Sequence, residues 1–405
     1  MRCAAVIGSA CLVAAVMAGC ARVRIPEPTL PPKKDYYRPL PPGAHALRRL
    51  TDPESIPDFR DAFEQDHASL LAALDESIRY FGLPSSRKHF PLQGITHAQA
   101  AASLIYFRDI LTSSATAEEF QERVVSAFDV YQSVGCDDRG TVLFTGYYTP
   151  IFDGSLERTD EFRWPLYSQP KDLVKGADGS VLGRRLDNGD LVPYDTRREI
   201  EEGAATGNEL VYLRSRFEAY ICTVQGSAHL RLLDGRLFRI GYAASNGREY
   251  TSVGRKLVAD GLLAPEQLNL SGLTAFFQSE PERMDDYLPL NERYVFFQET
   301  DTPPLGSLGL PVTARRSLAT DKSIYPRGCL AYAETRVPDF AGGVRAQQRF
   351  RQFMLDQDTG GAIRAAGRAD IYLGIGDEAG RIAGWTLSEG RLYYLFLRNE
   401  PEVPD

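Results

Sequence analysis

Short apolar runs separated by Gly, Pro and Asp follow Gly140 and constrain the fold of this chain more than any other feature. Each run is of strand length, and two of them flank Asp234-Gly235, a dipeptide typical of a two-residue hairpin. The runs cover residues 142–144, 230–233, 236–240, 294–297 and 392–397. Short strands with turn residues between them favour a β-barrel over parallel βαβ units.

The segment between residue 54 and the first of these runs has helical periodicity instead. Apolar residues share one face of a predicted helix that stops at Gly82, and they are Leu70, Leu71, Leu74, Ile78 and Phe81. Thr96 with Gln99, and Thr116 with Glu119, have the spacing of a capping box and predict two more helices. Shorter helices are predicted over 253–261 and 265–278. The expected fold class is mainly β with N-terminal helices.

The N-terminus carries an apolar stretch that follows Arg2 and ends in Met17-Ala18-Gly19-Cys20. It is short for a membrane-spanning helix and is typical of an export signal. Small residues before a Cys resemble a bacterial lipobox, so we interpret residues 1–19 as a lipoprotein signal peptide and Cys20 as the lipidated first mature residue. Ala21 rather than Asp at the next position predicts a periplasmic protein anchored to the inner face of the outer membrane. A plain signal peptide or an uncleaved anchor are the alternatives.

Residues 20–53 are rich in Pro, which favours extended polyproline geometry and predicts a tether. Three Cys remain beyond Cys20, namely Cys136, Cys222 and Cys329. They are far apart in sequence. An odd number in an exported protein allows one disulfide with one free thiol, or three buried thiols.

Several classes of function are disfavoured by the sequence. The formal net charge of −8, from 46 basic and 54 acidic residues, argues against a nucleic-acid partner. His229 is the one His beyond the N-terminal helices, so no metal-ligand spacing can be drawn, and we expect neither metal nor cofactor. The glycines of 374–380 imitate a dinucleotide fingerprint, but the third is one place late, and we interpret the segment as a turn. Carboxylates remain the best acid–base candidates.

Three Asp residues stand beside Gly or at strand edges in the C-terminal part of the chain: Asp321, Asp358 and Asp370. Asp370 lies within the run Gly367-Arg368-Ala369-Asp370-Ile371-Tyr372, next to an apolar strand. An Asp at that position can face a cleft at the mouth of a barrel. The alternative for each residue is ordinary turn chemistry, in which Asp accepts backbone hydrogen bonds.

The segments around Asp321, Asp358 and Asp370 resemble the three-aspartate (3D) domain, a double-psi β-barrel module. The remaining motifs resemble those of the membrane-bound lytic murein transglycosylase A family, and the resemblance runs from about residue 140 to 400. The motifs are Phe144-Thr145-Gly146-Tyr147-Tyr148-Thr149-Pro150, Val224-Gln225-Gly226-Ser227, the run from Gly241 to Tyr250, and Ser252-Val253-Gly254-Arg255.

The resemblance implies a fold in which a second β-rich domain, at 151–293, is inserted into a barrel. The barrel and its helical region take up 54–150 and 294–405, and glycan lies in the groove between the two domains. The family cleaves the β-1,4 bond between N-acetylmuramic acid and N-acetylglucosamine in peptidoglycan, leaving 1,6-anhydromuramic ends. The implied activity is that of a lytic exotransglycosylase acting on peptidoglycan strands. The implied protein partners are other cell-wall enzymes, whose identity the sequence does not give.

The residue that matches the family's catalytic Asp is Asp370, with Asp358 and Asp321 in supporting roles. The substrate-binding residues that we expect in the groove are Thr145, Tyr147, Tyr148, Gln225, Gly226, Ser227 and Tyr242. One carboxylate suffices for this chemistry, because the C6 hydroxyl of the sugar is the nucleophile and is already held near the anomeric carbon. Two alternatives stay open at this point: an exported polysaccharide hydrolase on the same barrel, which needs two carboxylates, and a non-catalytic peptidoglycan-binding lipoprotein.

Overall fold

The computed structural model describes residues 34–176, 179–340 and 346–398. The strands in chain order are β1 Leu47–Arg49, β2 Phe128–Ser133, β3 Val142–Thr149, β4 Ile151–Ser155, β5 Trp164–Tyr167, β6 Leu173–Lys175, β7 Val181–Arg185, β8 Leu191–Val192, β9 Glu209–Leu213, β10 Ala228–Leu232, β11 Leu237–Ser245, β12 Val295–Glu299, β13 Ser317–Ala319, β14 Leu330–Asp339, β15 Ala346–Asp358, β16 Arg368–Ile375 and β17 Leu387–Leu397. The α-helices are α1 Arg60–Phe63, α2 His67–Gly82, α3 His97–Ser113, α4 Ala117–Ala127, α5 Arg197–Glu199, α6 Arg216–Gln225, α7 Val253–Ala259, α8 Leu270–Ser279, α9 Met284–Tyr287 and α10 Asp377–Trp385.

The predicted N-terminal helices are confirmed as α2, α3 and α4. The Thr96 hydroxyl accepts a hydrogen bond from the Gln99 amide and caps α3, and Thr116 caps α4 in the same way through Glu119. The helices pack their apolar faces against the barrel. The ring centroid of Phe107 on α3, for example, lies 4.7 Å from that of Phe353 on β15.

Six strands close into a barrel in the order β17-β14-β15-β13-β16-β3, with β3 returning to β17. Closure depends on β17, which pairs with β3 through Leu387–Gly390 and then with β14 beyond it. At this change of partner a Cβ on Gly390 would lie 2.1 Å from the carbonyl oxygen of Glu334, so only Gly lets the two backbones approach so closely. The fully buried core includes Phe144, Leu318, Tyr332, Phe353, Leu355, Ile371 and Tyr394.

A second β-rich domain follows β3 and has its own sheet, in the order β12-β11-β10-β4-β9-β5. The hairpin predicted at Asp234-Gly235 is present as β10 and β11, with Leu230 opposite Phe238. The predicted boundary at 293 differs from the structure. Strand β12 pairs with β11, so the chain leaves this sheet only after Glu299. A small three-stranded sheet, β6-β7-β8, belongs to the same insertion.

The expected tether at 20–53 is shorter in the structure than the sequence suggested. Leu47–Arg49 forms β1 and pairs with β2, and Ala46 is fully buried. Tyr36 also contacts the barrel, through a 2.6 Å hydrogen bond from its hydroxyl to Glu389 Oε1. The chain from Asp35 onward is therefore part of the folded body, because Pro-rich composition does not prevent side chains between the prolines from packing. Cys20 and the signal peptide lie outside the described residues.

The segment 374–380, interpreted as a turn, is a strand end followed by a helix. Strand β16 runs to Ile375 and α10 begins at Asp377, directly after Gly376. The short polar start of α10 hid its helical period in the sequence. This helix packs on β3 and β16 and covers one side of the barrel.

Candidate active site

A cleft of about 290 Å³ lies between the barrel and the inserted domain. Both domains line it, and the barrel contributes the strands β3 and β16 and the loop after β15. The lining residues are Thr145, Gly146, Tyr147, Thr223, Val224, Gln225, Gly226, Tyr242, Tyr250, Asn291, Arg293, Val295, Ala319, Asp358, Thr359, Gly360, Gly361, Ala362, Ile363, Arg368 and Asp370.

Asp370 lies on β16 between two neighbouring strands, opposite Thr145 of β3 and Ala319 of β13. Its Oδ1 atom is buried and has no hydrogen-bond partner among the described residues. Burial raises the pKa of Asp370 to about 6, against the lowering effects of a Thr145 hydrogen bond and the Arg368 charge. The charge of Asp358 raises the pKa of Asp370 further. A carboxyl in this environment can hold a proton in mildly acidic solution and give it to a ligand.

Asp358, at the end of β15, lies in the same cleft but in a different environment. Its Oδ2 accepts a 2.7 Å hydrogen bond from the Tyr147 hydroxyl, and its Oδ1 accepts from the amides of Ser307 at 2.7 Å and Thr359 at 2.8 Å. Burial raises the pKa of Asp358, and these three donors oppose that effect. Asp358 is thus held in place, and the loop 358–363 is held with it.

Asp321 does not line the cleft. Its Oδ1 accepts hydrogen bonds from the Ser323 hydroxyl at 2.6 Å and amide at 3.1 Å, and its Oδ2 accepts from the Ala365 amide at 2.9 Å. The carboxylate therefore joins the loop after β13 to the loop before β16. This is the turn chemistry that the sequence left open for each Asp, and it orders the chain next to Asp370.

Five of the seven residues expected in the groove line the cleft: Thr145, Tyr147, Gln225, Gly226 and Tyr242. Tyr148 and Ser227 are not among the lining residues, contrary to the expectation for them. Tyr148 is buried, and its ring lies where a Cβ on Gly380 of α10 would come within 2.6 Å. The Ser227 hydroxyl bonds to that of Thr149 at 3.2 Å. Neighbours along a strand point to opposite faces, so Tyr147 and Tyr148 cannot both reach the groove.

Sequence reasoning missed several residues that line or support the cleft. Arg368 donates from Nη2 to Thr145 Oγ1 at 2.8 Å, and its position two residues before Asp370 was a usable signal. Arg293 and Asn291 come from the chain before β12, where no motif marked them. Behind the site, Lys322 forms a buried ion pair with Asp356, which also accepts from Tyr394 at 2.7 Å. The charges of Lys322 and Asp356 neutralise each other inside the barrel core.

Within the described residues, no group of three or more His, Cys, Asp or Glu side chains is arranged to hold a metal ion. No helix in the described ranges is both long and apolar enough to span a bilayer. Cys222 and Cys329 are buried and form no disulfide. Burial raises the pKa of the Cys222 and Cys329 thiols, so neither is suited to act as a nucleophile at neutral pH.

Comparisons with known proteins agree with this architecture. Two family models match: the MltA-specific insert domain over residues 143–298 and the 3D domain over residues 316–396. Membrane-bound lytic murein transglycosylase A of Escherichia coli K12 is 34% identical over 271 residues, which cover 66% of this chain and 69% of that protein. The protein of the same name from Vibrio cholerae serotype O1 is 31% identical over 272 residues, 66% of this chain and 68% of that protein.

Two solved structures are similar over most of their length. The membrane-bound lytic murein transglycosylase of Agrobacterium tumefaciens superposes with a TM-score of 0.70 at 26% identity, covering 87% of this chain and 98% of that one. Escherichia coli MltA, solved with bound chitohexaose, superposes with a TM-score of 0.68 at 25% identity, covering 92% of this chain and all of that one (100%). The expected fold, a double-psi barrel with an inserted β-rich domain, is confirmed. The chain belongs to the membrane-bound lytic murein transglycosylase A family.

Proposed function

We propose that this lytic transglycosylase cleaves the β-1,4 bond between N-acetylmuramic acid and N-acetylglucosamine in peptidoglycan, with Asp370 as its single acid–base residue. The observation that carries the proposal is the Oδ1 atom of Asp370, which is buried in a cleft between two domains and has no partner among the described residues. A proton acceptor or donor from outside the protein would complete it. The chitohexaose bound to the Escherichia coli structure supports a β-1,4-linked amino-sugar chain as the occupant.

The reaction needs one proton and no water. Protonated Asp370 donates to the glycosidic oxygen, the bond from that oxygen to C1 of the muramoyl residue breaks, and positive charge develops at C1. The C6 hydroxyl oxygen of the same residue then attacks C1 and loses its proton to the Asp370 carboxylate. The products are a 1,6-anhydromuramoyl end and a free 4-hydroxyl on the other sugar, and Asp370 is protonated again. Proximity replaces a second catalytic group because nucleophile and electrophile belong to one ring.

The groove residues support binding of a sugar chain. Tyr242 is 50% exposed and offers an aromatic face to a sugar ring. The side-chain Oε1 of Gln225 accepts a hydrogen bond from the backbone amide of Tyr148 at 3.2 Å, which leaves the side-chain NH2 group of Gln225 for an acetamido or hydroxyl oxygen. Asp358 and Asp321 support the reaction indirectly, the first through its charge near Asp370 and the second through the loops that it joins.

The test is to incubate the soluble mature protein with purified sacculi and to identify the released ends by mass spectrometry. We expect 1,6-anhydromuramoyl products, lighter by one water than hydrolytic products. Asp370→Asn should lower the rate by about 100-fold or more, the scale of a lost general acid. Asp301→Asn, at an exposed carboxylate, is the control and should keep full activity.

Each alternative has its own outcome in this experiment. Reducing ends instead of anhydro ends would identify a hydrolase, which needs a second free carboxylate. Asp358 is a poor candidate for that role because it already accepts three hydrogen bonds. Undiminished cleavage by Asp370→Asn would refute the assignment of Asp370, and no cleavage by the wild type would leave a glycan-binding protein.

The relatives are named membrane-bound, so the chain is associated with the cell envelope. We infer a finer placement from the lipobox: Cys20 carries the lipid, and the protein faces the periplasm from the inner leaflet of the outer membrane. Cys20→Ser should move the protein from the membrane fraction to the soluble periplasmic fraction. Continued sedimentation with outer membranes would contradict this placement.

A further inference from the structure

Arg293 is a cation on the inserted-domain side of the cleft, and the proposed mechanism gives it no role. Its side chain is half-buried, and its Nη1 donates to the carbonyl oxygen of Arg248 at 3.3 Å. A Cβ on Gly361 would lie 3.3 Å from Cδ of Arg293. The guanidinium stem therefore lies directly against the loop 358–363, which starts at Asp358 and belongs to the barrel.

No carboxylate of the described chain forms an ion pair with Arg293. Other Arg of the inserted domain are paired at short distance, for example Arg184 with Asp195 at 2.6 Å and Arg216 with Glu201 at 2.8 Å. Burial lowers the pKa of Arg293, and the ionisable groups that act on it are Tyr242 and Arg364. Asp358 is bonded to Tyr147, Ser307 and Thr359, and Oδ1 of Asp370 has no partner in the described chain, so neither carboxylate is paired with Arg293.

A half-buried guanidinium without a carboxylate partner is costly, and an anionic ligand would offset that cost. Its planar fork of donors matches the two oxygens of a carboxylate. A glucosamine residue carries no acid. A muramoyl residue carries a lactyl ether at C3, which ends in a carboxyl group or continues into a peptide with carboxylates of its own.

We propose that Arg293 binds an acidic group of the muramoyl residue and so distinguishes it from glucosamine when the chain enters the cleft. This inference rests on the proposed function and names the part of the substrate that the site recognises. The acid is either the lactyl carboxylate or a carboxylate of the attached peptide. Tyr242 and Tyr250 line the same side of the cleft and can hold the sugar rings while Arg293 contacts the acid.

The experiment measures binding in an Asp370→Asn background, so that the glycan is not consumed. Three ligands are compared: peptide-free glycan strands, the same strands with the lactyl carboxyl converted to a neutral methylamide, and peptide-bearing strands. The variants are Arg293→Met, which removes the charge, and Arg293→Lys, which keeps the charge but not the fork. Arg236→Met is the matched control, because Arg236 is 66% exposed in the hairpin between β10 and β11 and lies outside the cleft lining.

We expect Arg293→Met to weaken binding of at least one acidic ligand by about 10- to 100-fold, the range for a lost charge-assisted hydrogen bond. Binding of the methylamide should not change, Arg293→Lys should lie in between, and Arg236→Met should match the parent. A loss confined to peptide-bearing strands would identify a peptide carboxylate as the group bound, and a loss on the peptide-free strands would identify the lactyl carboxylate.

An equal loss on all three ligands would overturn the inference, since it would show a general or structural contact, and so would no loss on any. Melting temperatures of the variants, measured alongside, show whether folding is intact. Failure of the proposed function is a separate result, because it is read from the products of the wild-type protein with Asp370 intact.

Discussion

Two carboxylates share the cleft and differ in how their oxygens are occupied. Asp370 has a buried oxygen without a partner in the described chain, and burial raises its pKa to about 6. Asp358 accepts three hydrogen bonds that hold it in place. Their environments thus differ although the two side chains are chemically the same, as the proposed roles of a proton carrier and a fixed charge require.

Asp358→Asn should shift the pH profile of the reaction. The charge of Asp358 raises the pKa of Asp370, so its removal lowers that pKa. In the proposed mechanism Asp370 must be protonated to start the reaction, so the rate should fall as pH rises through its pKa, about 6 in the wild type. The descending limb of kcat against pH should therefore move to lower pH in the variant. An unmoved limb would show that Asp358 acts only through loop geometry.

Asp370→Asn should stabilise the protein above pH 6 while lowering the rate by about 100-fold or more. The pKa of Asp370 is raised in the folded state to about 6 from 3.8. Ionisation of this buried carboxyl therefore lowers the free energy of unfolding as pH rises from 3.8 to about 6, and the loss is complete above that range. The penalty that a neutral Asn removes is at most about 3 kcal/mol. Melting temperatures at pH 7.5 and pH 3.5 check this: the variant should gain at the higher pH only. An equal change at both would point to packing instead of charge.

At the scale of elements, the short segment Asp35–Arg38 joins the two domains beside the cleft. The ring centroid of Tyr37 lies 4.4 Å from Cζ of Arg255 on α7 and 5.0 Å from Cζ of Arg368 on β16. The Tyr37 hydroxyl oxygen also accepts a hydrogen bond from Nη1 of Arg368. Arg368 in turn holds Thr145 next to Asp370. The end of the Pro-rich stretch therefore fixes a residue of the active site.

Removal of this segment should lower activity although it contains no catalytic group. A chain that starts at Asp35 should be as active as the full mature chain, whereas one that starts at Pro39 should lose about tenfold in kcat/KM. Arg368 lowers the pKa of Asp370, so its release should also move the descending limb of the pH profile to higher pH. Comparison of the two truncations by rate and pH profile checks this. Equal profiles would show that Tyr37 has no influence on Asp370.

At the scale of the whole molecule, the barrel and the inserted domain have separate apolar cores. Arg197, only 1% exposed, organises the insert next to the cleft. It donates to the carbonyl oxygen of Asn291 at 2.8 Å, to that of Arg293 at 2.6 Å and to the Thr223 hydroxyl at 2.9 Å. All three acceptors belong to residues that line the cleft. One buried guanidinium thus positions one wall of the site.

Arg197→Met should destabilise the inserted domain by about 3 to 5 kcal/mol, because it leaves several buried acceptors without a donor. With separate cores, we expect calorimetry of the variant to show the insert unfolding at a lower temperature than the barrel. The barrel transition should stay where it is in the wild type. A single transition that moves as a whole would show instead that the two domains unfold together.

The helices and the hairpin were predictable because their signals are local. Thr96 and Thr116 cap the helices that their spacing predicts, and Asp234-Gly235 turns the chain between β10 and β11. The assignment of Asp370 depended on motif resemblance, since an Asp next to a strand looks the same whether it binds a turn or a substrate. In the structure the partners differ: Asp321 and Asp358 accept hydrogen bonds from loop amides, whereas Oδ1 of Asp370 has no partner in the described chain.

By itself, the sequence determined the fold class, the order of the domains and the family. The apolar periodicity, the helix caps, the turns and the long motifs that indicate them each depend on residues that are close together in the chain. Only the tertiary structure decided which side chains share the cleft. Arg293 and Arg368 line it from distant parts of the chain, Tyr37 contacts Arg368 from a third, and no local pattern links them. The raised pKa of Asp370 also needs the fold, since it results from burial that several elements produce together.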